Sequence, residues 1–131
     1  MRIGCPEGFE PLPGVLEQAQ SLAQHGASIE VMSDPREAVA GAQAVYTDVW
    51  ASMGQEAEQA QREQAFAGFC VDHVLMEQAA ADAIVLHCLP AHRGEEISAE
   101  VMEGRASRIF DQAENRLHAQ QALLAVLMGG L

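Results

Sequence analysis

The sequence contains no lysine. Its seven cations are all arginines, set against nineteen acidic residues for a formal net charge of −12. Nucleic acid and anionic membrane surfaces both require clustered cations, so neither is expected as a partner. Aromatics are scarce at 5%, while apolar residues make up 49%, so a core must be built from Ala, Leu, Val and Met. No apolar run approaches the ~18 residues of a membrane span, and no charged-plus-apolar leader opens the chain. The three cysteines, Cys5, Cys70 and Cys88, are an odd number without framework spacing. Free thiols and a cytoplasmic setting are therefore expected. At 131 residues the chain is one domain's worth, with no internal repeat or low-complexity linker.

Short apolar runs alternate with helical patterns. Strands are expected at Ile3–Cys5, Ser28–Met32, Ala44–Asp48 and Ala83–Cys88, the last being the most apolar. Between them, helices are expected from about Val15 to His25 and from Pro35, capped by Asp34, to Gly41. Further helices are read over Gln55–Phe66, from an Asp72 cap through Ala80, briefly from Ser98, and from about Gln112 to Met128. Arg108-Ile109-Phe110 reads as a short extended piece. Strand–helix alternation predicts an α/β fold: a parallel sheet flanked by helices, Rossmann-like, in a single domain. The last helix carries Leu117, Leu124, Leu127 and Met128 along a stripe, beside Leu123 and Val126. That is more apolar surface than a terminal helix on a small sheet can hide, and it reads as a docking face.

Two strands open into polar clusters. Ala83-Ile84-Val85-Leu86 runs into His87-Cys88-Leu89-Pro90-Ala91-His92-Arg93-Gly94-Glu95-Glu96. Ala44-Val45-Tyr46-Thr47 runs into Asp48-Val49-Trp50-Ala51-Ser52-Met53-Gly54. Open α/β folds bind ligands at the carboxyl ends of their strands, so the two clusters define a candidate site for a small polar substrate. Taken singly, Asp48 reads as a turn residue, Ser52 as a loop cap and Cys88 as a small buried hydrophobe. His87, Cys88 and His92 do not complete a tetrahedral metal site, and His25, His73 and His118 lie at unrelated positions. No metal is expected. Glu56, Glu58, Arg62 and Glu63 read as a solvated helix face. Trp50 is either core filler or packing under the substrate loop.

Taken together, Asp48-Val49-Trp50-x-Ser52-Met53-Gly54, His87-Cys88-Leu89-Pro90-Ala91-His92-Arg93-Gly94 and Asp111-Gln112-Ala113-Glu114-Asn115-Arg116 resemble ornithine carbamoyltransferase, across essentially the whole chain. Aspartate carbamoyltransferases have Pro where this chain has Cys88, so the resemblance favours an ornithine-like amine acceptor. It covers only the ornithine-binding domain, residues 1–131. The Ser-Thr-Arg-Thr loop that grips carbamoyl phosphate in the family's other domain is absent. So is the preceding βα unit with its Asp-Gly-Asn-Asn stretch.

The resemblance implies transfer of the carbamoyl group of carbamoyl phosphate to the δ-amine of L-ornithine, giving L-citrulline and phosphate in arginine metabolism, with no cofactor. It implies that Asp48 and Ser52 hold the α-amino group and that the Met53 backbone N–H meets the carboxylate. Cys88 faces the δ-amine, the Leu89 carbonyl takes the carbamoyl NH₂, and Arg116 reaches the carbamoyl end. Cys88, Asp48 and Arg116 are thus the implied catalytic residues. His87, Pro90, His92 and Arg93 support them, the last two in a polar network with Glu95 and Glu96. Pointing the Leu89 carbonyl into the site while His87 and Cys88 stay in the strand requires a reversal within one residue. A cis Leu89–Pro90 bond is therefore expected. The family forms trimers, largely through its other domain. The rival expectations are a truncated, non-catalytic relative, or a carbamoyltransferase for putrescine or an acetylated ornithine.

Overall fold

A computed structural model describes residues 1–51 and 58–129. In chain order the elements are β1 (Arg2–Gly4), α1 (Pro13–Leu22), β2 (Glu30–Met32), α2 (Pro35–Val39) and β3 (Ala44–Thr47). There follow α3 (Gln59–Ala65), α4 (His73–Met76), β4 (Ile84–His87), α5 (Ala99–Met102) and α6 (Ile109–Leu127). All pairing between these strands is parallel, and helices connect them, so the chain is α/β as expected. The sheet is nevertheless divided. β1 pairs with β2, β3 pairs with β4, and no ladder joins β1 to β3.

Local chemistry explains the caps. Pro35 stands in the first turn of α2, where its missing N–H costs nothing, and Asp34 Oδ1 accepts from Arg36 N at 2.8 Å. Gly41, at φ 66°, lets the chain turn out of that helix. Arg2 crosses to the same helix end, donating to the Ala40 carbonyl at 2.6 Å. Asp72 caps α4 through Leu75 N, and Ser98 caps α5 through Val101 N.

One core cluster is built around β3, β4 and the helices behind them: Val39, Val45, Val71, Leu75, Val85, Ile97, Val101, Met102 and Ile109. Val85, Ile97 and Ile109 are wholly buried, each stabilising the fold by roughly 1.5–3 kcal/mol through burial alone.

Several sequence expectations change. α1 ends at Leu22 and buries no residue, and Leu22 is exposed. With β1 and β2 forming a separate narrow ladder, there is little sheet for its apolar face to cover. His25 and Gly26 lie beyond it at positive φ. α4 is a single turn rather than a helix through Ala80, because tight turns at 78–83 return the chain to β4. α3 begins at Gln59, and the earlier part of the expected 55–66 helix falls outside the described residues. The extended piece near Arg108 lies slightly upstream of Ile109 and Phe110, which already belong to α6. Val85 N donates to Ala106 O and Arg108 N to Val85 O, so 106–108 seals the outer edge of β4. Isolated Ile and Phe carry β propensity, but burying Ile109 under β4 as the first helical residue wins here.

Candidate functional site

The carboxyl ends of β3 and β4 lie side by side, with Thr47 in register with His87. The next residue of each chain segment supplies a reactive side chain, and these meet: Cys88 Sγ donates to Asp48 Oδ1 at 2.9 Å. A thiol held this way is stabilised in its neutral form. Burial, the bond to Asp48 and the negative charge of Asp48 all push the Cys88 thiol up from its ordinary value. In this arrangement Cys88 is a hydrogen-bond donor. Asp48 itself is exposed and also accepts from Val49 N at 2.7 Å.

Behind the pair, His87 is wholly buried and fully engaged. Its Nδ1 accepts from Leu89 N at 2.8 Å, which leaves the ring proton on Nε2, facing Glu96 Oε1 at 3.0 Å. Glu96 is also wholly buried, and its Oε1 takes a second bond from His92 N at 2.6 Å. The loop 88–96 is therefore clamped from beneath at both ends. Above the clamp, Leu89 sits at φ 58° and the Leu89–Pro90 bond is cis, as expected. Pro90 itself is exposed.

α6 braces the other side. Gln112 Oε1 accepts from His87 N at 3.0 Å, and its Nε2 donates to the Tyr46 hydroxyl at 3.2 Å. One turn on, Arg116 donates to the Cys88 carbonyl at 3.2 Å. Residues four apart share a helix face, so one face of α6 serves the strand and the loop together.

The structure thus brings Asp48, Cys88, Leu89, His87 and Arg116 into one place. Ser52 and Met53 lie outside the described residues. His92 contributes its backbone N–H to the clamp. Its side chain is exposed and faces Glu95 only at 3.6 Å. Arg93 points away from the site to Glu103 at 2.6 Å, so the expected loop network contracts to His87, Glu96 and the His92 backbone. Arg62 is not on a solvated face: its guanidinium lies 5.2 Å from the Phe9 ring centroid and donates to the Trp50 carbonyl. Trp50 stacks on Phe66 with centroids 6.0 Å apart, in an aromatic group with Phe9 and Phe69.

Sequence reasoning gave no site role to Tyr46 or Gln112, and left Glu96 as one member of a loop network. Gln112 stands in the same motif as Arg116, about one helical turn before it, and that spacing was the available signal. For Glu96 the signal was weaker, an acid immediately before a lone Ile in a polar loop. Donor atoms of Asp48, His87 and Cys88 come within 4.8 Å of one another. Both ring nitrogens of His87 are already committed, however, so a metal there would have to break the clamp.

Fold and site together define an open α/β domain with a polar centre at its carboxyl edge, in the region where such folds bind small ligands. The family model for the Asp/Orn binding domain of aspartate/ornithine carbamoyltransferase matches residues 1–127, and the chain belongs to that family. It is 83% identical to an ornithine carbamoyltransferase from Parasynechococcus marenigrum, over all of this chain and 41% of that protein. Among solved structures it resembles ornithine carbamoyltransferase from Pyrococcus furiosus, with a TM-score of 0.90 at 49% identity over 99% of this chain and 42% of that one. The anabolic enzyme from Campylobacter jejuni matches with a TM-score of 0.92 at 40% identity, over all of this chain and 44% of its own. The chain therefore spans about two-fifths of the length of these relatives. Among the described residues no helix is long and apolar enough to cross a membrane.

Proposed function

We propose that this chain is the ornithine-binding half of an ornithine carbamoyltransferase, the carbamoyl-phosphate-binding domain lying outside it. The observation that carries the reading is the Asp48–Cys88 contact at the joined ends of β3 and β4, with Arg116 on the Cys88 carbonyl. Three separate motifs of the family's substrate site converge there. In the reaction, the ornithine δ-nitrogen forms a bond to the carbamoyl carbon as the carbon–oxygen bond to phosphate breaks, and the nitrogen releases a proton.

The free δ-amine has a pKa of about 10.4 and arrives as an ammonium. Asp48 and Ser52 hold the α-amino group, and the Met53 N–H receives the substrate carboxylate. With its thiol pushed up, Cys88 orients the δ-nitrogen better than it accepts a proton from it. The Leu89 carbonyl takes the carbamoyl NH₂. Arg116 reaches the carbamoyl end from the position where it now holds the Cys88 carbonyl. Phosphate-gripping cations are supplied by the other domain, so the chain alone should not turn over, since electrostatic stabilisation of the leaving group is a dominant contribution to such catalysis. The whole enzyme is read as a cytoplasmic homo-oligomer, a trimer as in its family.

NMR titration with L-ornithine tests the site. Weak binding should shift signals at Asp48–Ala51 and His87–Pro90. Shifts confined to α3 would overturn the assignment, and citrulline formation by the isolated chain within about a hundredfold of an intact enzyme would overturn the two-domain reading.

A further inference from the structure

The proposed reaction assigns no role to Tyr46 or Gln112, yet hydrogen bonds of fixed direction join both to the site. The series starts at β4. A backbone N–H can only donate, so the Gln112 amide must turn its oxygen to His87 N, at 3.0 Å. The amide nitrogen is thereby aimed at Tyr46, where it donates to the hydroxyl oxygen at 3.2 Å. With that lone pair filled, Tyr46 still has its own O–H to give.

The acceptor within reach is the Cys88 sulfur, which bonds the Tyr46 hydroxyl. Cys88 in turn gives its S–H to Asp48 Oδ1 at 2.9 Å. The series therefore runs one way, from Gln112 through Tyr46 and Cys88 to a carboxylate that only accepts. Stability does not require this arrangement: Tyr46 is 56% exposed, so water could satisfy its hydroxyl without help from α6. The two neighbours of the thiol act in opposite senses. Asp48 holds the proton on sulfur, whereas a hydroxyl donating to sulfur favours the thiolate and offsets part of that effect. Among the described residues, the other charged or titratable groups beside Cys88 leave its sulfur alone. Arg116, from α6, donates to its carbonyl, and His87, before it on β4, has both ring nitrogens committed to Leu89 and Glu96.

We propose that Tyr46 is a further positioning residue of the site: with Gln112 holding its oxygen, its hydroxyl donates to the Cys88 sulfur and fixes how that sulfur faces the substrate. The use of this contact in catalysis rests on the reading of the chain as an ornithine-binding domain, whereas the hydrogen-bond series does not. When the substrate's α-ammonium takes Asp48, the thiol loses the partner of its proton but keeps Tyr46 on one lone pair. The second lone pair and the S–H are then left for the δ-nitrogen, with less freedom to rotate away from it. No proton passes through Tyr46 in this role. It orients the sulfur that orients the nitrogen.

The test follows Cys88 alkylation by iodoacetamide against pH in the 131-residue chain, read by peptide mass spectrometry, since the thiolate is the reacting form. Tyr46→Phe removes the donor and keeps the ring, so the profile should move to higher pH and labelling at pH 8 should slow at least about threefold. Gln112→Glu keeps an oxygen for His87 N–H but offers the Tyr46 hydroxyl a second acceptor, which draws its proton off the sulfur. It should slow labelling too, and by a clearly larger factor in the parent than in Tyr46→Phe, where only its added charge can act. An unchanged or faster profile in Tyr46→Phe would overturn the proposal, as would a Gln112→Glu effect of equal size in both backgrounds. Amide exchange at Val85 and Ile109 is followed in every variant, so that a loss of fold is not read as an effect on the thiol. L-Ornithine is absent from these measurements and is titrated separately. Relative to the shifts at Asp48–Ala51, the shift at Cys88 should be about halved or less in Tyr46→Phe, and an equal Cys88 shift would count against Tyr46. Failure of the parent to bind ornithine would count against the proposed function, with the labelling still deciding the role of Tyr46.

Discussion

Removing the Glu96 carboxylate should release the 88–96 loop from the strand beneath it. The carboxylate is wholly buried, and its Oε1 receives both His87 Nε2–H and His92 N–H, while Oε2 has no partner among the described residues. Glu96→Ala leaves the buried His87 Nε2–H and the part-buried His92 N–H without their acceptor. Each costs about 1–3 kcal/mol, and the cavity left by the lost atoms adds to that. A loss of about 3–6 kcal/mol is expected, a large share of the 5–15 kcal/mol typical of a domain. Glu96→Gln keeps an oxygen for both donors but places an NH₂ where Oε2 now stands without a partner, so its cost should be closer to about 1–3 kcal/mol. Urea unfolding of the three proteins measures the ladder of stabilities, and the Leu89 amide signal reports the loop. In Glu96→Gln that signal should stay near its native position, because His87 Nδ1 still accepts from it. If Glu96→Ala unfolds within about 0.5 kcal/mol of the parent, the clamp contributes nothing and the reasoning fails.

Two further outcomes follow from the site and the last helix. Because Asp48 holds the Cys88 thiol up through both its bond and its charge, Asp48→Asn should lower the Cys88 pKa. Thiolate then forms at lower pH, and iodoacetamide labelling of Cys88, read by peptide mass spectrometry, should be faster at pH 8 than in the parent; equal or slower labelling would show that burial alone sets the thiol. Leu124 and Leu127 are 56% and 73% exposed on α6, so the chain should self-associate with rising concentration. Light scattering should show Leu124→Glu/Leu127→Glu remaining monomeric, and a strictly monomeric parent would refute a sticky stripe.

Element type was legible in the sequence wherever a pattern had one strong cause. Asp34-Pro35, Asp72 and Ser98 mark helix starts by cap chemistry, and each caps the helix it was expected to cap. The exposed stripe on α6 was legible because period and length agree. What misled was local apolarity without a partner. The leucines and alanines of α1 carry a helical face, but beside the narrow β1–β2 ladder none of them is buried outright. Ile109-Phe110 looks extended until the burial of Ile109 is known. In the site, motifs located Asp48, Cys88 and Arg116, whereas Tyr46 and Gln112 became visible only through long-range contact. The motif spacing of Gln112 to Arg116 places both on one helix face, but only the fold shows that Gln112 bonds the backbone of one strand and the side chain of another. Nor was the division of the sheet legible, since strand periodicity reports which residues are buried but not which edge is paired.

The two ends of α6 are held differently, and this bears on how the site could respond to a partner. At its start, Gln112 bonds β4 and Tyr46, and Arg116 bonds the loop at Cys88. From Leu117 onward the helix presents exposed apolar side chains, and its only residue buried outright is Ile109. A rigid helix anchored at one end acts as a lever on its anchor. A surface that covers the Leu124–Leu127 stripe sets the angle at which the helix leaves the sheet, and that angle is felt first at Arg116 and then at the Cys88 carbonyl. Arg116 is the site member on this lever that bonds the loop, whereas Asp48 and Cys88 follow directly on β3 and β4 of one ladder. Docking of a partner on the stripe would therefore shift Arg116 relative to the Asp48–Cys88 side-chain contact, which the β3–β4 ladder holds in place.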